Sequence, residues 1–121
     1  EGCEVLGISR SRAYDEQGLQ KATLDLSDMD ALRQWLESDV LRSFLEGASQ
    51  AILINNSGVV GPVCALGTLS NKEIVRSIEL NVAAPLVLSN AFVEQTVDVP
   101  DRRILHISSG AGRRGMAGWN V

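Results

Sequence analysis

The stretch AILINNSG, Ala51 to Gly58, decides how this chain is read. It opens as a continuous apolar run, the pattern of a strand buried on both faces of a parallel sheet. Polar Asn55, Asn56 and Ser57 and the permissive Gly58 follow at the carboxyl end of that strand. In open α/β sheets, ligands bind beyond those ends. The rest of the chain repeats the arrangement. EVLGIS from Glu4, KATLDL from Lys21 and RILHIS from Arg103 read as three further strands. The first runs into Ser9-Arg10-Ser11-Arg12, the second closes on Asp25-Leu26, and the fourth delivers Ser108-Ser109-Gly110.

Helical spacing fills the later connections. Met29, Leu32, Leu36, Val40 and Phe44 recur every three or four positions, with Ser27 as N-cap, Asp30 three residues inside and Gly47 as the stop. Ser38-Asp39 divides this region into two helices. Ser70 and Glu73 form an S-x-x-E capping box, after which Ile74, Ile78, Val82 and Leu86 share one face. Pro85 lies inside that pattern and should kink or end the first part of the helix. Arg10 to Gln20 reads as a loop with at most a turn of helix. Strands alternating with helices predict an α/β fold with a doubly wound parallel sheet.

Composition narrows the function. The chain has 121 residues, 45% of them hydrophobic, and a net charge of -4. That charge argues against binding along a nucleic-acid backbone, which needs a basic stripe. No apolar run approaches the ~20 residues of a membrane span. Cys3 and Cys64 are too few for a disulfide framework and match no metal spacing. With His106 as the single histidine, no metal site is expected, and His106 reads as a packed strand residue. Cys64 has no neighbouring base to activate it. A cytoplasmic protein is expected.

Three motifs in order, N-N-S-G at Asn55 to Gly58, IELNVAAP from Ile78 and ILHISSG from Ile104, resemble the short-chain dehydrogenase/reductase family over nearly the whole chain. Ser57 is a mild departure from that family's N-N-A-G. NNSGVVGP and the compact connection between the second and third strands look most like its benzil- and sepiapterin-reductase type. The resemblance implies a Rossmann-like fold and hydride transfer between NADP(H) and a small carbonyl or alcohol substrate. It makes Ser109 the donor to the carbonyl oxygen, where negative charge builds up during reduction. It also gives Asn81 a water held by its backbone carbonyl. Ser109 read alone is a serine capping a strand end, and Asn81 a polar residue where a helix breaks.

For the cofactor, Asn55, Asn56, Ser57 and Gly58 border its path, and Asp25 and Leu26 flank the adenine by resemblance. Ser9, Arg10 and Arg12 stand where an acid would bind the ribose of NAD, with no acid before Asp15. NADP(H) is therefore expected in preference to NAD(H); the alternative is two solvated arginines. Gly110, Met116 and Trp119 are expected along the substrate pocket, with surface packing as the other reading of the two large side chains. Val59 to Leu69 is another candidate wall.

The resemblance also implies parts outside Glu1 to Val121. A strand and the turn T-G-x-x-x-G-x-G would precede Glu1, and a Tyr with a Lys four positions on would follow Val121. In the strand order 3-2-1-4-5 the outside strand lies between the strands at Glu4 and Ala51. Residues 1–121 are thus expected to be the central part of a single NAD(P)-binding Rossmann domain, inactive alone. The family usually associates through its long helices, which implies a homodimer or homotetramer. A catalytically silent dinucleotide-binding sensor or interaction module is the competing reading. A flavodoxin-like phosphoacceptor domain would need an acidic cluster, and Asp25 stands alone.

Overall fold

The computed structural model describes residues 2–11, 18–61, 63–113 and 115. Strand β1 (Val5–Ser9) pairs in parallel with β2 (Leu19–Thr23), Val5 opposite Leu19 and Ser9 opposite Thr23. Strand β3 (Gln50–Asn55) pairs in parallel with β4 (Asp101–His106), Gln50 opposite Asp101 and Asn55 opposite His106. Among the described residues these remain two separate two-stranded sheets. An apolar slot of about 320 Å³ touches both, with Val5, Leu6 and Ile8 of β1 and Ile52 and Ile54 of β3 in its lining.

Helix α1 (Met29–Glu37) and helix α2 (Val40–Leu45) follow β2, divided at Ser38-Asp39 as the sequence indicates. Gly47, at φ +73°, ends α2 in a backbone conformation that side chains disfavour. Helix α3 (Asn71–Ile78) runs through a π-helical turn (Glu79–Ala83) directly into helix α4 (Ala84–Gln95). Helix α4 packs on β3 and against α1. One core joins Leu26, Leu32, Leu80, Ala84 and Leu88, and a second joins Leu45, Ala51 and Phe92.

Several local expectations are corrected. The second strand begins at Leu19, after a turn at Gly18 (φ +87°), and stops at Thr23, so Leu24, Asp25 and Leu26 form a corner beyond it. The fourth strand is Asp101–His106, two residues earlier than expected, because its register is fixed by pairing with all of β3. The cap of α1 is Asp28, whose carboxylate accepts from the Ala31 N–H at 3.0 Å. Ser27 is diverted from that task because its N–H and hydroxyl both donate to Asp25. Ser70 occupies the N-cap of α3, but its side chain makes no capping bond.

Two corrections concern burial. Strand β3 is covered on one face only: Ala51 is buried, whereas Ile52 and Ile54 on the other face are more than half exposed. His106 is exposed and not packed. The third correction is the direction of the long helix. Ile78, Val82 and Leu86 of the expected core stripe point outward, and the core takes Ser77, Leu80, Ala84 and Leu88 instead. Pro85 does not break the helix; it sits in the first turn of α4, directly after the π-helical turn.

Candidate active site

A cavity of about 260 Å³ lies past the carboxyl ends of β1 and β3. Ile8, Leu24, Leu26 and Leu80 give it apolar lining, and Ser9, Arg10, Ser57 and Gly58 give it polar lining. Five residues singled out from the sequence, Ser9, Arg10, Leu26, Ser57 and Gly58, therefore meet around one space. The corner is built by backbone bonding: the Leu24 N–H donates to the Ser9 carbonyl at 2.9 Å. The Ser9 hydroxyl donates to the Ser11 carbonyl at 2.6 Å, turning the chain away after β1. Arg12 lies outside the described residues.

Asp25 stands between the two leucines but lines a separate surface hollow shared with Arg76 of α3. Its Oδ1 accepts from the Ser27 N–H at 2.9 Å and the Ser27 hydroxyl at 2.7 Å. Its Oδ2 accepts from Arg76 Nη2 at 3.0 Å, while Arg76 Nε donates to Ser27 Oγ at 3.1 Å. The Ser27 hydroxyl above all, then the Ser27 N–H and the Arg76 charge, hold the Asp25 carboxyl below its ordinary range. The carboxylate that resemblance sets beside the adenine is thus already engaged by the protein.

Asn81 lies in the π-helical turn. Its Oδ1 accepts from the Val59 N–H and its Nδ2 donates to the Val59 carbonyl, both at 2.9 Å. This reciprocal pair clamps the loop after β3 to the helix. Gly58 lies against the clamp, where a Cβ would come within 3.5 Å of Asn81 Oδ1. The α-helical partner of the Asn81 carbonyl would be residue 85, a proline without an N–H. Such π turns are frequent at functional sites.

Asn55 and Ser109 close the picture at β3 and β4. Asn55 Nδ2 donates to Ser89 Oγ at 3.2 Å and lies 3.4 Å from His106 Nδ1, its neighbour across the sheet. Ser89 in turn donates to the Pro85 carbonyl at 2.6 Å. The ladder continues one step past β4, where the Ile107 N–H donates to the Asn55 carbonyl. Ser109 then precedes a 3-10 turn, Gly110–Arg113, and its carbonyl accepts from the Gly112 N–H at 3.1 Å. Asn56 is exposed in the loop after β3. Met116 and Trp119 lie outside the described residues.

Sequence reasoning missed the partners Arg76, Ser89 and Val59. They sit 51, 34 and 22 residues from Asp25, Asn55 and Asn81 respectively. No local pattern announces contacts at such separations. Among the described residues, no three His, Cys, Asp or Glu side chains cluster to hold a metal, and no helix is long and apolar enough to cross a membrane.

The strand ends, the loop after β3 and the helix carrying Asn81 all fall within the match to the family model for short chain dehydrogenases, which covers residues 6–121. The chain belongs to the short chain dehydrogenase family. It is 30% identical to the benzil reductase ((S)-benzoin forming) of Bacillus cereus over 82% of its length and 40% of that protein. It is 29% identical to the enzyme of the same name from Bacillus subtilis (strain 168), over 100% of its length and 51% of that protein. The chain thus spans about half the length, or less, of these curated relatives. A short-chain dehydrogenase/reductase structure from Burkholderia vietnamiensis superposes with TM-score 0.86 at 44% identity, covering 94% of this chain and 55% of that one.

Two further structures contain nicotinamide dinucleotides. A metagenomic short-chain oxidoreductase in complex with NADP is 27% identical, with TM-score 0.67 over 84% of this chain and 44% of that one. A 4-hydroxyisoleucine dehydrogenase complexed with NADH and succinate shares the fold at 22% identity, with TM-score 0.78 over 98% of this chain and 53% of that one. The Rossmann-like fold and an oxidoreductase family using NAD(P) are therefore established.

Proposed function

We propose that this chain is the central part of a single NAD(P)-binding domain in an NADPH-dependent carbonyl reductase, acting on a small ketone or aldehyde or, in reverse, on an alcohol. The observation that carries the reading is the cavity past β1 and β3. Its apolar walls suit the flat adenine, and Ser9, Arg10 and Ser57 suit a ribose and its phosphate. None of the described lining residues is acidic, and Arg10 can pair with a 2′-phosphate through a charge-assisted fork. NADP(H) is therefore preferred to NAD(H).

When bound, the nicotinamide supplies or accepts the hydride. The residues of this chain do the rest. Asn55 to Gly58 set the floor on which the cofactor lies, with Gly58 permitting close approach. Leu26 packs against the adenine side. Ser109 donates a hydrogen bond to the substrate oxygen as negative charge grows there, and Gly110 leaves room for the substrate beside it. The Asn81 carbonyl, whose α-helical donor position is occupied by Pro85, accepts from a water on the route to solvent. Met116 and Trp119 border the substrate.

The outward stripe of Val75, Ile78, Val82, Leu86 and Val93 supports a homodimer or homotetramer built on the α3–α4 helix. These side chains are 46–63% exposed along one continuous helix, and an apolar strip of that length seeks a partner. Cys3 and Cys64, which are not joined in a disulfide, suit a reducing, cytoplasmic setting.

The test is turnover of a diketone such as benzil by the full-length protein with NADPH and with NADH. Faster turnover with NADPH is expected. Nucleotide binding without turnover of any carbonyl or alcohol would replace this reading with that of a silent binding module. Equal use of both nucleotides would remove the role of Arg10.

A further inference from the structure

Leu24 and Leu26 line the nucleotide cavity, and both belong to the corner after β2 rather than to a strand or helix. Its backbone is held by two bonds, from the Leu24 N–H to the Ser9 carbonyl and from the Asp28 N–H to the Asp25 carbonyl. A closed ring of side-chain hydrogen bonds on its opposite side adds to them. Asp25 accepts from Ser27 twice and from Arg76 once, and Arg76 also donates to Ser27. Three of the roughly four acceptor positions of the Asp25 carboxylate are filled this way. Arg76 belongs to α3, which continues through the turn bearing Asn81, so the ring ties the cavity wall to the helix under the reaction centre. Arg76 itself is absent from the cavity lining.

We propose that Arg76 is a positioning residue for nucleotide binding: by gripping Asp25 and Ser27 it fixes the corner that presents Leu24 and Leu26 to the cavity. Arg76 acts without touching the nucleotide. This rests on the dinucleotide reading of the cavity. Its two bonds leave from Nε and Nη2, a fork that lysine cannot copy. The grip is also ionic and half exposed, with Arg76 and Asp25 side chains 53% and 36% accessible. Added salt therefore loosens it.

The experiment is a fluorescence titration of the full-length protein with NADPH, alongside steady-state kinetics and thermal unfolding, for wild type, R76M, R76K, D25N and D25N/R76M. Wild type should bind the nucleotide, and R76M should weaken Kd and cofactor KM about tenfold. Its kcat at saturating NADPH should stay within about twofold of wild type. R76K should fall between the two. D25N/R76M should be no weaker than D25N alone, since the two residues act as one unit. If wild type binds and R76M binds equally well, the inference is overturned while the functional reading stands. The same holds if R76M lowers kcat, cofactor affinity and Tm together, which marks a purely structural residue; R76K then shows whether charge alone restores them. A wild-type protein that binds neither nucleotide overturns the functional reading first.

Discussion

The two strand pairs finish in opposite chemistry. At the carboxyl end of β1–β2 the chain is held by ions: Asp25 and Arg76 grip through Ser27, and Arg10 stands at the cavity. At the carboxyl end of β3–β4 it is held by amides and hydroxyls: Asn55 with Ser89 and His106, Asn81 with Val59. The charges of that second pair, Asp101 and Arg103, lie at its amino end. A phosphate-bearing ligand needs a fixed cation near it. A substrate oxygen gaining charge is better served by neutral donors, since a carboxylate close by would oppose that charge. The division of labour follows from these two demands, and the two ends should respond differently to mutation, salt and pH.

The sharpest break in the comparison is S109A in the full-length protein. Turnover should fall on the order of 100- to 1,000-fold while NADPH affinity is kept, measured by steady-state kinetics and titration. Retained turnover would remove Ser109 from the reaction. Next is R10A at the ionic end. Losing a charge-assisted bond worth about 1.5–3 kcal/mol should raise the KM for NADPH at least tenfold and leave that for NADH nearly unchanged. A parallel loss for both would mean that Arg10 only shapes the loop.

A smaller effect is expected at the neutral end. N81A removes both bonds to Val59 and should cost about 1–3 kcal/mol in urea unfolding, with little dependence on salt. Strong salt dependence there would erase the contrast between the two ends. The smallest effect is acid sensitivity at the ionic end. Because folding lowers the Asp25 carboxyl, chiefly through the Ser27 hydroxyl, its stabilisation is present above about pH 4 and is lost as pH falls below it. For so accessible a pair this amounts to less than about 1 kcal/mol. D25N should flatten that part of the stability–pH curve, and an unchanged curve would show that the pair contributes nothing.

Much of this was legible in the residues. The apolar run ending at Asn55 gave a strand, and the alternation of strands and helices gave the α/β class, because both follow from local periodicity. The break at Ser38-Asp39 and the stop at Gly47 were equally local. What escaped was decided by packing. Ile78, Val82 and Leu86 have helical spacing, yet Leu80, Ala84 and Leu88 have it too, and only contact with the sheet selects between them. Ser27 looked like a cap until Asp25 competed for its hydrogens. On the site side, the sequence placed Ser9, Arg10, Leu26, Ser57 and Gly58 at strand ends, and they converge. The bonds of Asn81 and Arg76 depend on which loop folds over which helix, information absent from any short window.

The π-helical turn at Glu79–Ala83 has a consequence for shape. One residue beyond the α-helical count rotates everything downstream by about 100°. The turn is therefore a phase shifter between α3 and α4. Ser77 before it, Leu80 within it and Leu88 and Phe92 after it all face inward. Removing a single residue there would leave a longer, more regular helix and aim Leu88 and Phe92 away from β3. The irregular turn keeps two straight rods in register with one flat surface.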